Sequence, residues 1–158
     1  MLICKYIEIF LESTITSNAR TASRDEVEDT SKEIFKFLYD DIPTNSPKFF
    51  INPPNEYEWY SDSISLKHFL DSNYWVKMSP NEFIDSEARD AVEHHRDYES
   101  AEDYFDSFTK YMQQPHPIKA TFSKDGSLET ILDGNHRVAM ANRLNMASIP
   151  AVFGVKRK

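Results

Sequence analysis

Asp133, Gly134, Asn135, His136 and Arg137 stand in a row between an apolar pair, Ile131-Leu132, and a small-residue stretch, Val138-Ala139-Met140-Ala141. That order reads as strand, tight turn and helix. Such a junction turns unpaired backbone N–H groups and the positive end of a helix dipole toward the occupant of the turn, with a His and an Arg beside them. The chemistry this suits is anion binding, phosphate above all. A hydrogen bond to a charged group contributes about 1.5–3 kcal/mol and the dipole about 0.3–1 kcal/mol, so Arg137, expected at the surface of the helix start, matters more than the helix end. Neutral His136 donates one hydrogen bond and protonated His136 two, which fits phosphate contact or proton transfer. The same residues have a plainer reading, in which Asp133 and Asn135 cap the helix and His136 and Arg137 decorate its first turn.

The flanking residues must hold this turn in place. Lys124-Asp125-Gly126-Ser127 is a turn signal, so residues 128–132 read as the second strand of a hairpin whose first strand is 118–123. Gly134 permits a positive φ or a close backbone approach. Asn135 reads as the helix cap, Val138, Ala139, Ala141 and Leu144 recur at helical spacing, and Asn145 fits a left-handed C-cap. Residues 149–155 read as the next strand. Upstream, Ser79-Pro80-Asn81-Glu82 is a capping box with proline at the first helical position. Ser100 caps a helix through about residue 113 that buries Tyr104, Phe105, Phe108, Tyr111 and Met112, and Pro115 and Pro117 end it.

Together, Pro115-His116-Pro117-Ile118, the strand and Asp-Gly turn, the run from Ile131 to Arg137, the small-residue helix and Ile149-Pro150-Ala151-Val152 resemble the ParB/sulfiredoxin superfamily. The resemblance covers residues 75–155, about half of the chain, with Val76-Lys77-Met78-Ser79-Pro80 similar to that family's opening strand and turn. It implies that Gly134, Asn135, His136 and Arg137, with Asp133 beside them, hold the phosphates of a nucleoside di- or triphosphate such as ATP, ADP or CTP. Sulfiredoxins attack with a Cys in this turn, where Asn135 stands here, and Cys4 lies far off in sequence. ParB partition proteins carry a helix-turn-helix domain after the module, for which the chain leaves no room before Lys158. The turn is most like the Asp-Gly-His-His-Arg turn of the free serine kinases, whose catalytic Glu near the start of the module is matched by Glu82. The resemblance thus implies Glu82 as a catalytic residue, unless it serves its capping box alone, and His136, able to shuttle a proton, is the other catalytic candidate. Mg²⁺ arriving with a nucleotide needs only one or two carboxylates, and Asp133 is one contributor. No protein-held metal site is expected, since adjacent His94 and His95 point about 100° apart on a helix.

Composition bounds the alternatives. The formal charge of −8 hides an asymmetry: residues 1–115 hold 11 Lys/Arg and 23 Asp/Glu, a balance of −12, and residues 116–158 hold 7 and 3, a balance of +4. The turn sits in the basic part, which suits a small anion, while the acidic remainder repels duplex DNA. One cysteine rules out an internal disulfide, and the absence of a run of about 20 apolar residues argues against a membrane span, so a cytoplasmic protein is expected. At 158 residues the chain fits one core, burying about 68–70% of its unfolded surface.

The expected fold is α+β: a small mixed sheet with surrounding helices over residues 75–158, plus a helical extension over residues 1–74 packed on it. In the extension, helices are read over residues 2–12 and, from the capping box Ser23-Arg24-Asp25-Glu26, to about residue 39, burying Val27, Ile34, Phe35 and Leu38. Residues 42–60 read as a proline-broken, aromatic-rich connector, and 63–70 as a short helix. The first function expected is phosphoryl transfer or nucleotide hydrolysis, with Glu82 as base. The alternatives are a non-catalytic regulatory protein that binds a protein partner through its extension, and a ParB-like nuclease.

Overall fold

The computed structural model describes residue 15 and residues 19–39, 54–95 and 97–157. The helix expected over residues 2–12, most of the connector and the side chains of Ile34, Phe35 and Leu38 lie outside the described residues.

The capping box at Ser23 forms: the Glu26 N–H donates to Ser23 Oγ at 3.2 Å and the Ser23 N–H to Glu26 Oε1 at 2.9 Å. Helix α1 follows over Arg24–Tyr39, with Val27 half-buried and Thr30 fully buried. The end of the expected connector is a strand. Tyr57, Trp59 and Ser61 alternate with more exposed residues and are buried, so Tyr57–Ser65 forms β1, the first strand of the sheet. The helix expected over residues 63–70 shrinks to a 3-10 turn, Leu66–Phe69. Cross-strand pairing of Ile64 with Ile149 and of Ser65 with Ser148 overrides local helical preference there.

The opening strand expected at Val76-Lys77-Met78 is absent. Those residues form bends with Val76 and Met78 exposed, while the neighbouring Trp75 turns inward and donates from Nε1 to the Phe69 carbonyl at 2.8 Å. The capping box at Ser79 is closed in both directions and starts α2, Pro80–Asp90, which runs into a π-helical turn, Ala91–His95. Ser100 accepts from the Asp103 N–H and starts α3, Ala101–Tyr111, which buries Tyr104. Met112 beyond it is also buried, Phe105 and Phe108 are partly so, and Tyr111 stays exposed.

Strand β2, Ile118–Phe122, returns through the Asp125-Gly126 turn as β3, Leu128–Asp133. Helix α4, Asn135–Arg143, and strand β4, Ser148–Lys156, follow, with Asn145 at φ 54° reversing the chain between them. The sheet order is β1-β4-β2-β3; β2 and β4 are parallel and the outer pairs antiparallel. This is an α+β architecture with a mixed sheet, as the sequence predicts.

Alternation along the strands gives the sheet two buried faces. Ile118, Ala120, Phe122, Ile149, Ala151 and Phe153 join Ile84 and Ala88 of α2 and Val138 and Ala141 of α4 in the main core. Each such large side chain contributes about 1.5–3 kcal/mol on burial. Tyr57, Trp59, Leu132 and Val152 form a second cluster on the other face, against which Val27 of α1 packs. Polar rungs tie α2 to α4: Arg143 to Asp85 at 2.9 Å and Asn142 to Asn81 at 3.2 Å. No helix among the described residues is long and apolar enough to cross a membrane.

Candidate functional site

The end of β3 is anchored on both sides of the sheet, Ile131 in the main core and Leu132 in the second cluster. The chain then turns at Gly134, whose φ of 118° and ψ of 22° lie in the left-handed region. A Cβ there would also fall 2.5 Å from Ile118 Cγ2, so glycine is required twice over. Gly134, and not Asn135, is the residue preceding α4, and no side chain caps the helix. The Asn135 side chain is taken elsewhere, accepting from the Tyr74 hydroxyl at 2.6 Å. The first helical bond runs from the Val138 N–H to the Gly134 carbonyl at 2.9 Å. The N–H groups of Asn135, His136 and Arg137 therefore open the helix without intrahelical acceptors.

His136 and Arg137 leave this turn in different directions. Nε2 of His136 lies 2.9 Å from a carboxylate oxygen of Glu87 on α2, and its ring stands 5.1 Å from that of Phe83. Phe83 and Glu87 are four apart on α2 and meet His136 together. A carboxylate only accepts, so the proton sits on Nε2 and neutral His136 presents Nδ1 as its basic atom. The His136 side chain is 50% exposed. Beyond Phe83, the rings of Trp75 and Tyr74 continue an aromatic row at 5.7 and 5.5 Å.

Arg137 turns the opposite way and is only 12% exposed, which corrects the expectation that it lies at the surface. Its Nη2 pairs with Asp133 at 3.0 Å, and its Nη1 donates to the carbonyls of His116 at 2.7 Å and Pro117 at 3.1 Å. The reason is the Pro-His-Pro approach to β2, which exposes two carbonyls with no sheet partner beside an inward-facing guanidinium. His116 thus meets the turn through its backbone, while its ring neighbours that of Tyr111 at 6.1 Å.

Glu82 lies on the exposed side of α2, its carboxylate accepting from the Ser79 N–H at 3.3 Å. The carboxylate of α2 that reaches the turn is Glu87, a residue missed in the sequence although Phe83 and Glu87 share one helical face.

Beside Arg137, between α1 and the sheet, lies a cavity of about 460 Å³ bordered by Glu26, Asp29, His116, Lys119, Asp133 and Arg137. Lys119 was also missed. It stands directly across from Asp133 in the β2–β3 pairing, but two register shifts in that hairpin defeat counting back from the Asp-Gly turn. Burial works against the charge on Glu26, yet hydrogen bonds from Ser61, from the backbone and hydroxyl of Ser23 and from Arg20 hold its carboxyl at about 2. Burial raises the Tyr74 hydroxyl above its ordinary value, so it stays protonated and donates to Asn135.

Among the described residues no group of three His, Cys, Asp or Glu side chains is placed to hold a metal ion, and His94 pairs with Asp90 at 2.8 Å. Compared with known proteins, the chain matches no protein-family model, no curated protein and no solved structure.

Proposed function

We propose that this is a nucleotide-phosphate-binding protein of ParB/sulfiredoxin-like kind, working in the cytoplasm, whose β3–α4 turn receives the phosphates of ATP, ADP or CTP. The observation that carries the reading is the turn itself: a left-handed glycine followed by a helix that no side chain caps, with half-exposed His136 in its first turn. Backbone N–H groups at a helix start suit an anion, and the helix dipole favours one by about 0.3–1 kcal/mol. Protonated His136 adds an Nδ1–H donor together with a charge. Arg137 contributes by holding the turn against the approach to β2, since most of its donors are engaged there.

For phosphoryl transfer or hydrolysis, neutral His136 removes the proton through Nδ1, with Glu87 positioning the ring. Glu82 is the weaker base because its carboxylate closes its own helix cap. Mg²⁺ accompanying the nucleotide would draw on Asp133, which is 46% exposed but has one oxygen committed to Arg137. Engagement of Glu82 and Arg137 within the fold also favours a second reading, a non-catalytic protein that binds a nucleotide or a protein partner without turning anything over.

Calorimetric titration of ATP, ADP, CTP and GTP, with and without Mg²⁺, into wild type and His136→Ala tests the proposal. At least one nucleotide should bind, and the variant should bind it at least tenfold more weakly, a loss of about 1.4 kcal/mol. Failure of every nucleotide to bind the wild type would overturn it.

A further inference from the structure

The cavity beside Arg137 has a peculiar charge inventory. The Glu26 carboxylate accepts from the Ser61 hydroxyl, the Ser23 N–H and the Arg20 guanidinium. Asp29 lies 3.8 Å from Lys32, and Asp133 pairs with Arg137. Lys119 is half-buried, borders the cavity, and has no ion pair or hydrogen bond to its ammonium among the described residues. Its cross-strand neighbour is Asp133, the natural counter-charge for it, yet Asp133 Oδ2 turns to Arg137 instead. A cation that borders a cavity with no counter-charge bonded to it among the described residues is open to a partner of opposite charge.

An anion from outside the chain supplies that partner. We infer that Lys119 is the cation that receives a phosphate of the bound nucleotide in this cavity, the task for which Arg137 is already occupied. The inference rests on the nucleotide reading above and adds to it a binding residue and a location on the α1 side of the sheet. Three features favour a phosphate there. The ammonium is a compact, strongly hydrated point charge with three donors, a form that suits a phosphate oxygen. Lys119 follows Pro117 by two residues in β2, so it is held by the sheet and not by a loop. The opposite wall is α1, where Glu26 and Asp29 already have partners, so a phosphate at Lys119 meets partly neutralised neighbours.

Lys119→Met keeps the length of the stem and removes the charge; Lys119→Gln is the second such variant should Met not fold. Each is compared with Lys119→Arg in calorimetric titrations of the nucleotide that binds wild type, and of inorganic tripolyphosphate as a base-free probe, with thermal melting to verify folding. The uncharged variants should bind both at least tenfold more weakly with melting unchanged, and Lys119→Arg should keep most of the affinity. Nucleotide affinity unchanged in a folded Lys119→Met or Lys119→Gln protein would overturn the inference while leaving the nucleotide reading intact if His136→Ala still weakens binding. Should no nucleotide bind, the nucleotide reading falls. Lys119-dependent binding of tripolyphosphate would then still support Lys119 as an anion site, and no tripolyphosphate binding would overturn that as well.

Discussion

At Arg137 the guanidinium is spent on its own chain. It neutralises Asp133 and closes the carbonyls of His116 and Pro117, tying together the end of β3, the first turn of α4 and the approach to β2. Arg137→Ala should therefore cost stability before it costs binding. Removing a charged donor leaves two carbonyls and a carboxylate to find water, and a single such hydrogen bond contributes about 1.5–3 kcal/mol. With Asp133 half-exposed and able to rehydrate, a loss of about 2 kcal/mol is expected, read as a lowered urea midpoint with an unchanged slope. An unchanged midpoint would mean that the tie adds nothing. Gly134 is constrained in the same region by backbone angle and by Ile118 together, so a packing need accounts for it independently of any ligand.

Between elements, one carboxylate joins the packing of Val27 in docking α1. Glu26 caps its own helix, accepts from the Ser61 hydroxyl of β1 and pairs with Arg20 at 3.3 Å. Its carboxyl, ordinarily near 4.5, is held at about 2. A depressed carboxyl stabilises the fold fully above its unfolded value, so this contribution is complete above about pH 4.5 and drains away as the pH falls toward 2. Asp125, held at about 2 by the hydroxyls of Ser123 and Ser127, titrates in the same window. Glu26→Gln should thus flatten the acid limb of the stability curve in part, lowering stability near pH 7 and little near pH 2, as followed by urea unfolding across that range. A parallel loss at all pH values would show that the charge is not what docks the helix.

For the molecule as a whole, the sheet decides which residues belong together. Strand β1 precedes residue 75 and pairs along its length with β4, from Tyr57 with Lys156 to Ser65 with Ser148. A fragment of residues 75–158 loses that strand, uncovering Phe153 and the hydrogen-bonding edge of β4. It should be unfolded or aggregated in solution, by circular dichroism and gel filtration, whereas the full chain should melt cooperatively; a folded, monomeric fragment would refute this. The sequence alone determined what depends on near neighbours: the capping boxes at Ser23 and Ser79, the cap at Ser100, the Asp-Gly hairpin, the reversal at Asn145 and the strand–turn–helix order around Gly134. Each is settled within a few residues by backbone sterics and one or two hydrogen bonds. Tertiary structure decided the rest. Strand β1 is stabilised by a partner about ninety residues away, with no helix-like or strand-like excess of its own that the prolines before it did not obscure. Glu87 reaches His136, Arg137 turns inward and Lys119 has no ion pair among the described residues only because α2, the β2 approach and a bulged hairpin converge in space. Such pairings depend on register and packing between distant segments, and no local propensity encodes them.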